Sequence, residues 1–165
     1  MALLSKKIKF RFFEYIPLIL LFFISLKGSS IIDLKIISIN IHYILVYYWV
    51  LRSPQSLGYG FIFISGIITD VLLGFPLGIN ALSLLIVAAV AAYVRVVTVR
   101  ITLINDWLSF IPALLIANLV YFFSLYLSDF SVEYFYFFKN SIFTFIFYPI
   151  LWMLFSIIYN LIKKS

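Results

Sequence analysis

Side chains able to do acid–base or nucleophilic chemistry are sparse in this chain of 165 residues. Asp70 is the acid set deep in an apolar stretch, within Gly66-Ile-Ile-Thr-Asp70-Val-Leu-Leu-Gly74-Phe-Pro76-Leu-Gly78-Ile-Asn80-Ala-Leu82. An intramembrane hydrolase needs two converging carboxylates, or a nucleophile beside a base. Asp70 and Asp106 are expected near opposite surfaces, separated by about 30 Å of hydrocarbon, so they form no dyad. Nothing in the spacing of Asp129 and Glu133 brings them to Asp70. The absence of cysteine excludes disulfides, thiolate nucleophiles and cysteine-ligated metals. A single histidine, His42, does not make a histidine-based metal site. No glycine loop of the phosphate-binding kind is present. The chain is therefore expected to be no enzyme and to hold no cofactor or metal.

The elements that must position these residues are membrane helices. Hydrophobic residues make up 65% of the chain and charged ones 11%, against roughly 45–50% and about 25% in soluble domains. The chain reads as an all-α integral membrane protein, a single domain over residues 1–165. Its net charge of +6 lies at the ends and in short loops. That distribution suits topology and contact with anionic membrane lipid, with no nucleic acid expected. The start carries Lys6, Lys7, Lys9 and Arg11 before an apolar stretch, but Ser25-Leu26-Lys27-Gly28 lacks a small-x-small cleavage site. It is expected to remain as a first membrane helix.

A span needs ~20 mostly apolar residues. Six candidates cover roughly residues 12–26, 36–51, 55–73, 77–94, 107–127 and 140–162. Gly28-Ser29-Ser30 breaks the first, and 31–38, with Asp33 and Lys35, reads as interfacial. Pro17 and Pro112 fall near helix starts, and Pro149 predicts a kink. Six spans put both termini on one side. With that side cytoplasmic, Lys6, Lys7, Lys9, Arg11, Arg52, Arg95, Arg100, Lys163 and Lys164 lie inside. Lys27, Lys35 and Lys139 stay outside, which fits the positive-inside bias. Gly74-Phe-Pro-Leu-Gly78 then turns the chain on the outer side, with Asp70 about one helical turn below it.

Gly66, Asp70 and Gly74 are spaced to share one helix face. Small residues there admit a neighbouring backbone. The face formed by Leu85, Ala88, Ala89 and Ala92 is its expected partner, giving an antiparallel helical hairpin. Asp70 has two readings: it bonds backbone and pins the hairpin, or it contacts a partner or ligand from outside. Asn40, His42, Asp70 and Asn80 fall at similar depth. They form a possible polar cluster, with His42 and Asp70 as a pair; alternatively His42 bonds a backbone carbonyl. The aromatic residues are expected at lipid-facing and interfacial positions rather than in a cage. Ser141 and Thr144 are expected to bond helix backbone. Arg95 and Arg100 are expected to face lipid headgroups, or else to dock a cytoplasmic partner.

Tyr48-Trp49-Val50-Leu51-Arg52-Ser53-Pro54, followed by Gly66, Asp70, Gly74-Phe75-Pro76-Leu77-Gly78 and Ala81-Leu82, resembles the MreD family. These are small bacterial membrane proteins that determine rod shape. The motif-bearing part covers residues 43–95. The resemblance implies a fold like the substrate-binding subunits of energy-coupling-factor vitamin transporters. It also implies a multi-pass place in the cytoplasmic (inner) membrane. The implied role is a non-catalytic scaffold of the elongation complex that inserts peptidoglycan. Its implied partners are MreC, RodA and RodA's class B transpeptidase, with MreB filaments engaged indirectly. The family's glycine–aspartate–proline motif falls on Gly66, Asp70, Gly74, Pro76 and Gly78. The alternative is a vitamin-binding transporter subunit. Such subunits carry an Ala-x-x-x-Ala patch on the first span; here that span has no alanine, and Ala88 and Ala92 lie in the fourth.

Overall fold

A computed structural model describes residues 15–27, 31–34, 37–98, 102–129 and 134–164. The basic start, residues 28–30, Lys35, Arg100 and Glu133 lie outside the described residues, and so do the expectations attached to them. Helix α1 (Ile16–Leu26) carries Pro17 in its first turn, where proline is tolerated. Strands β1 (Ile31–Leu34) and β2 (Ile37–Asn40) pair antiparallel, with Ile31 opposite Asn40 and Leu34 opposite Ile37. Helix α2 (Ile41–Arg52) starts where the Asn40 side chain accepts the Tyr43 N–H at 3.2 Å. It stops at Ser53, because a residue preceding proline disfavours helical backbone. A single turn, α3 (Pro54–Leu57), leads to α4 (Tyr59–Leu73). Helices α5 (Ile79–Val97), α6 (Leu103–Leu127) and α7 (Tyr134–Lys164) follow.

Among the described residues the regular structure is helical apart from the paired strands β1 and β2. That pairing corrects the expected second span. Residues 37–40 form a strand, and α2 has only 12 residues, a rise of about 18 Å. Among the described residues, three helices are long and apolar enough to cross a membrane: Ile79–Val97, Leu103–Leu127 and Phe138–Ile162. Helices α1 and α4 are apolar but shorter.

Helix α2 is the axle of the fold. Every residue from His42 to Leu51 is buried, as expected for a helix apolar on all sides. It packs against α1, α5 and α7, while β2 packs on α7. Helix α7 shows how lipid reverses the usual polarity. Asn140, Thr144, Tyr148 and Phe155 face inward, whereas Ile142, Ile146, Ile150, Met153 and Ile157 are exposed. Polar groups gain partners inside the bundle that hydrocarbon cannot supply.

Candidate functional site

The glycine–aspartate–proline run folds as a clamp between α4 and α5. Gly74 adopts a left-handed backbone (φ +67°) and ends α4. Its N–H donates to the Val71 carbonyl at 3.3 Å, and the Phe75 N–H donates to the Asp70 carbonyl at 3.0 Å. These two bonds are a Schellman closure, in which glycine takes the position a side chain would strain. Pro76 cannot continue the helix. Gly78, at φ +102°, is the residue before α5 and also needs the left-handed region.

The Asp70 side chain then holds the start of α5. Its Oδ2 accepts the Gly78 N–H at 2.8 Å. Its Oδ1 accepts the Asn80 backbone N–H at 3.0 Å and the Asn80 Nδ2–H at 2.8 Å. Asp70 thus closes one helix through its carbonyl and caps the next through its carboxylate. The first N–H groups of α5 lack intrahelical partners and carry the positive end of the helix dipole, so a carboxylate suits them. Asp70 is fully buried.

Gly66 sits two turns along α4, against α5. A Cβ built there would lie 2.3 Å from Ala81 Cα and 2.5 Å from Ala81 N. The two helices therefore touch backbone to backbone at Gly66 and Ala81. The expected partner face, Leu85 to Ala92, lies further along α5, so the point of closest approach is nearer the turn than expected. Antiparallel pairing from a tight turn brings the first residues of α5, not its middle, to the last turns of α4.

The possible Asn40, His42, Asn80 cluster divides into three separate sites. Asn80 bonds Asp70. Asn40 caps α2, and its own N–H donates to Thr144 Oγ1 at 2.8 Å. His42 reaches α1, where Nε2 lies 3.1 Å from Ser25 Oγ and 3.3 Å from the Leu21 carbonyl. Ser25 Oγ also lies 2.9 Å from Leu21 O, to which it donates. The His42–Asp70 pair is not made, because α2 turns His42 toward α1 while Asp70 faces the start of α5. The expectation that Thr144 bonds helix backbone is also corrected. Thr144 Oγ1 accepts from Asn40 and donates to Asn140 Oδ1 at 3.0 Å, and Ser141 Oγ accepts from Asn118 Nδ2. Here helix α7 is fastened to β2 and α6 by side chains.

No family model, curated protein or solved structure matches this chain. The residues themselves must carry its interpretation, and at the opposite end of the bundle they form a second node that spacing did not reveal. Arg52 Nη2 donates to Asp106 Oδ2 at 3.3 Å, and Trp152 Nε1–H donates to the same oxygen at 2.8 Å. The guanidinium carbon lies 4.8 Å from the Tyr48 ring centre, 4.9 Å from Trp152 and 5.9 Å from Tyr159. An aromatic cage thus forms around Arg52, where the rings were expected at lipid-facing and interfacial positions instead. It joins α2, α6 and α7 in a charge-paired, cation–π contact. Arg52 and Asp106 are 54 positions apart, so no local pattern pairs them. The signal available was an arginine followed by Ser-Pro at the end of an apolar run.

Both Asp70 and Asp106 are engaged by groups of the chain itself. Both oxygens of Asp70 accept N–H groups of the chain, and one Asp106 oxygen holds Arg52 and Trp152. Among the described residues no group of three His, Cys, Asp or Glu side chains converges to hold a metal.

Proposed function

We propose that this chain is a non-catalytic, MreD-like scaffold in the bacterial cytoplasmic membrane. In this reading it holds MreC and the synthase pair, RodA with its class B transpeptidase, in one complex. MreB filaments are engaged indirectly, and the outcome is rod shape. Both termini are cytoplasmic, and the shorter α1, α2 and α4 complete a six-helix bundle around the three long helices.

The observation that carries the reading is the use made of Asp70. The motif by which the chain resembles the MreD family is built into one rigid turn, and its carboxylate is bound to the chain's own N–H groups. A group so engaged shapes a surface; it does not bind substrate. Around the turn, Val71, Leu72, Leu73 and Leu77 are exposed. They offer an apolar ridge to a partner's membrane helix, where close packing drives association in lipid.

Depletion of the chain from its own cells tests the reading. Rods are expected to widen and round up, with new wall no longer confined to the side wall. Unchanged shape with loss of vitamin uptake would overturn the scaffold and favour a transporter subunit.

A further inference from the structure

Five buried side-chain polar atoms among the described residues lack a hydrogen-bond partner: Tyr47 Oη, Tyr48 Oη, Trp49 Nε1, Arg52 Nε and Tyr148 Oη. All belong to α2 and α7. The hydroxyls can rotate, and Ser109 and Ser156 lie beside Tyr47 and Tyr48. Trp49 Nε1–H and Arg52 Nε–H differ, because both are donors only and no rotation turns them into acceptors. Each leaves an unmet donor in apolar surroundings, which is costly.

These two donors belong together. Trp49 and Arg52 are three residues apart, so they are neighbours on the α2 surface. Tyr159 lies against both, its ring centre 5.9 Å from the Trp49 ring and 5.9 Å from the Arg52 guanidinium carbon. Trp49 is 1% exposed and the Arg52 side chain 15%, while Tyr159 is partly exposed. The two donor-bearing side chains therefore share one aromatic neighbour, Tyr159, at the edge of the bundle. Asp106 engages Nη2 of Arg52 and leaves its Nε–H without a partner. The ligand that fits is all acceptor, negatively charged and present where helix ends meet the membrane surface. A phosphodiester has those properties, and arginine recognises it through its fork of N–H groups.

We propose that Trp49 Nε1–H and Arg52 Nε–H, beside Tyr159, hold a phosphate-ester oxygen of a membrane phospholipid at the end of the bundle where α2 and α7 finish. Tyr159 swings aside to admit the headgroup, and the Arg52–Asp106 pair stays intact.

Native mass spectrometry of the full-length chain in a maltoside detergent tests this. The probes are phosphatidylglycerol, diacylglycerol with the same acyl chains, and inorganic phosphate. Phosphatidylglycerol should bind about tenfold more tightly than diacylglycerol, a difference worth one charge-assisted hydrogen bond or more. Trp49→Phe keeps the ring and removes the N–H; it should lose most of that preference while its thermal unfolding stays near wild type. Tyr159→Ala removes the shared ring and should speed lipid exchange, giving a second readout should Trp49→Phe fold poorly. Equal binding of the two lipids, or a Trp49→Phe chain with undiminished preference, would overturn the proposal. The same Trp49-dependent binding by inorganic phosphate alone would overturn the assignment to lipid.

Discussion

Asp70 uses two oxygens for three N–H donors, and that load decides what can replace it. Asparagine offers one oxygen and one NH2 group. Whichever way it is turned, an N–H of Gly78 or Asn80 then faces a donor. Asp70→Asn is expected to lower stability by about 1–3 kcal/mol, the cost of a buried donor left unmet. Thermal unfolding of the purified chain in detergent measures it, and an unchanged midpoint would contradict the cap. Gly66 is more demanding. A methyl group there meets Ala81 backbone atoms at 2.3 and 2.5 Å, so Gly66→Ala should cost ~1–3 kcal/mol as overpacking. Adding Ala81→Gly removes the 2.9 Å contact with Ala81 Cβ but neither backbone contact, so it should restore only part of the loss. Full rescue would show that the helices are not in backbone contact. The importance of both positions was legible from their spacing. The number of N–H groups on Asp70, and hence the poor fit of asparagine, was not, because it depends on how the chain turns after Gly74.

Elements were legible where punctuation was strong. Gly74, Pro76 and Gly78 mark the α4–α5 turn through backbone angles and a missing N–H, and these act locally. The pairing of Ile31–Leu34 with Ile37–Asn40 was hidden by its composition. An isoleucine-rich run is apolar at either helical or strand period, and its β-branched residues favour the strand once pairing is available. The capping role of Asn40 was likewise hidden inside an assumed span. The node at Arg52, Asp106 and Trp152 depends on three helices meeting, which no spacing records. Its removal gives an element-scale prediction. Asp106→Asn leaves the Arg52 charge in its aromatic cage without a counter-ion, and should cost about 3 kcal/mol. Hydrogen exchange should rise first at the ends of α2 and α6. Exchange raised instead around Gly74 and Asn80 would show that the two ends of the bundle are not independent.

At the scale of the whole molecule, three long helices and a buried 12-residue axle make a bundle with two unlike ends. One end carries the Gly74–Gly78 clamp with Lys27 and Asp129; the other carries Arg52, Arg95 and the Lys163-Lys164 tail. The chain has no cysteine, so single cysteines report sidedness without background. Asp129→Cys should react with a membrane-impermeant maleimide in spheroplasts, whereas Arg95→Cys should react only after lysis. Labelling of both before lysis would overturn the orientation.

The scaffold reading is tested most directly by quantitative affinity purification of the tagged chain from mild-detergent membranes. The account predicts MreC and RodA in near-stoichiometric amounts with the wild-type chain. Asp70→Asn should bring down less of both, in proportion to its loss of folded protein. Recovery of paired coupling ATPases in their place, or of neither MreC nor RodA, would contradict it.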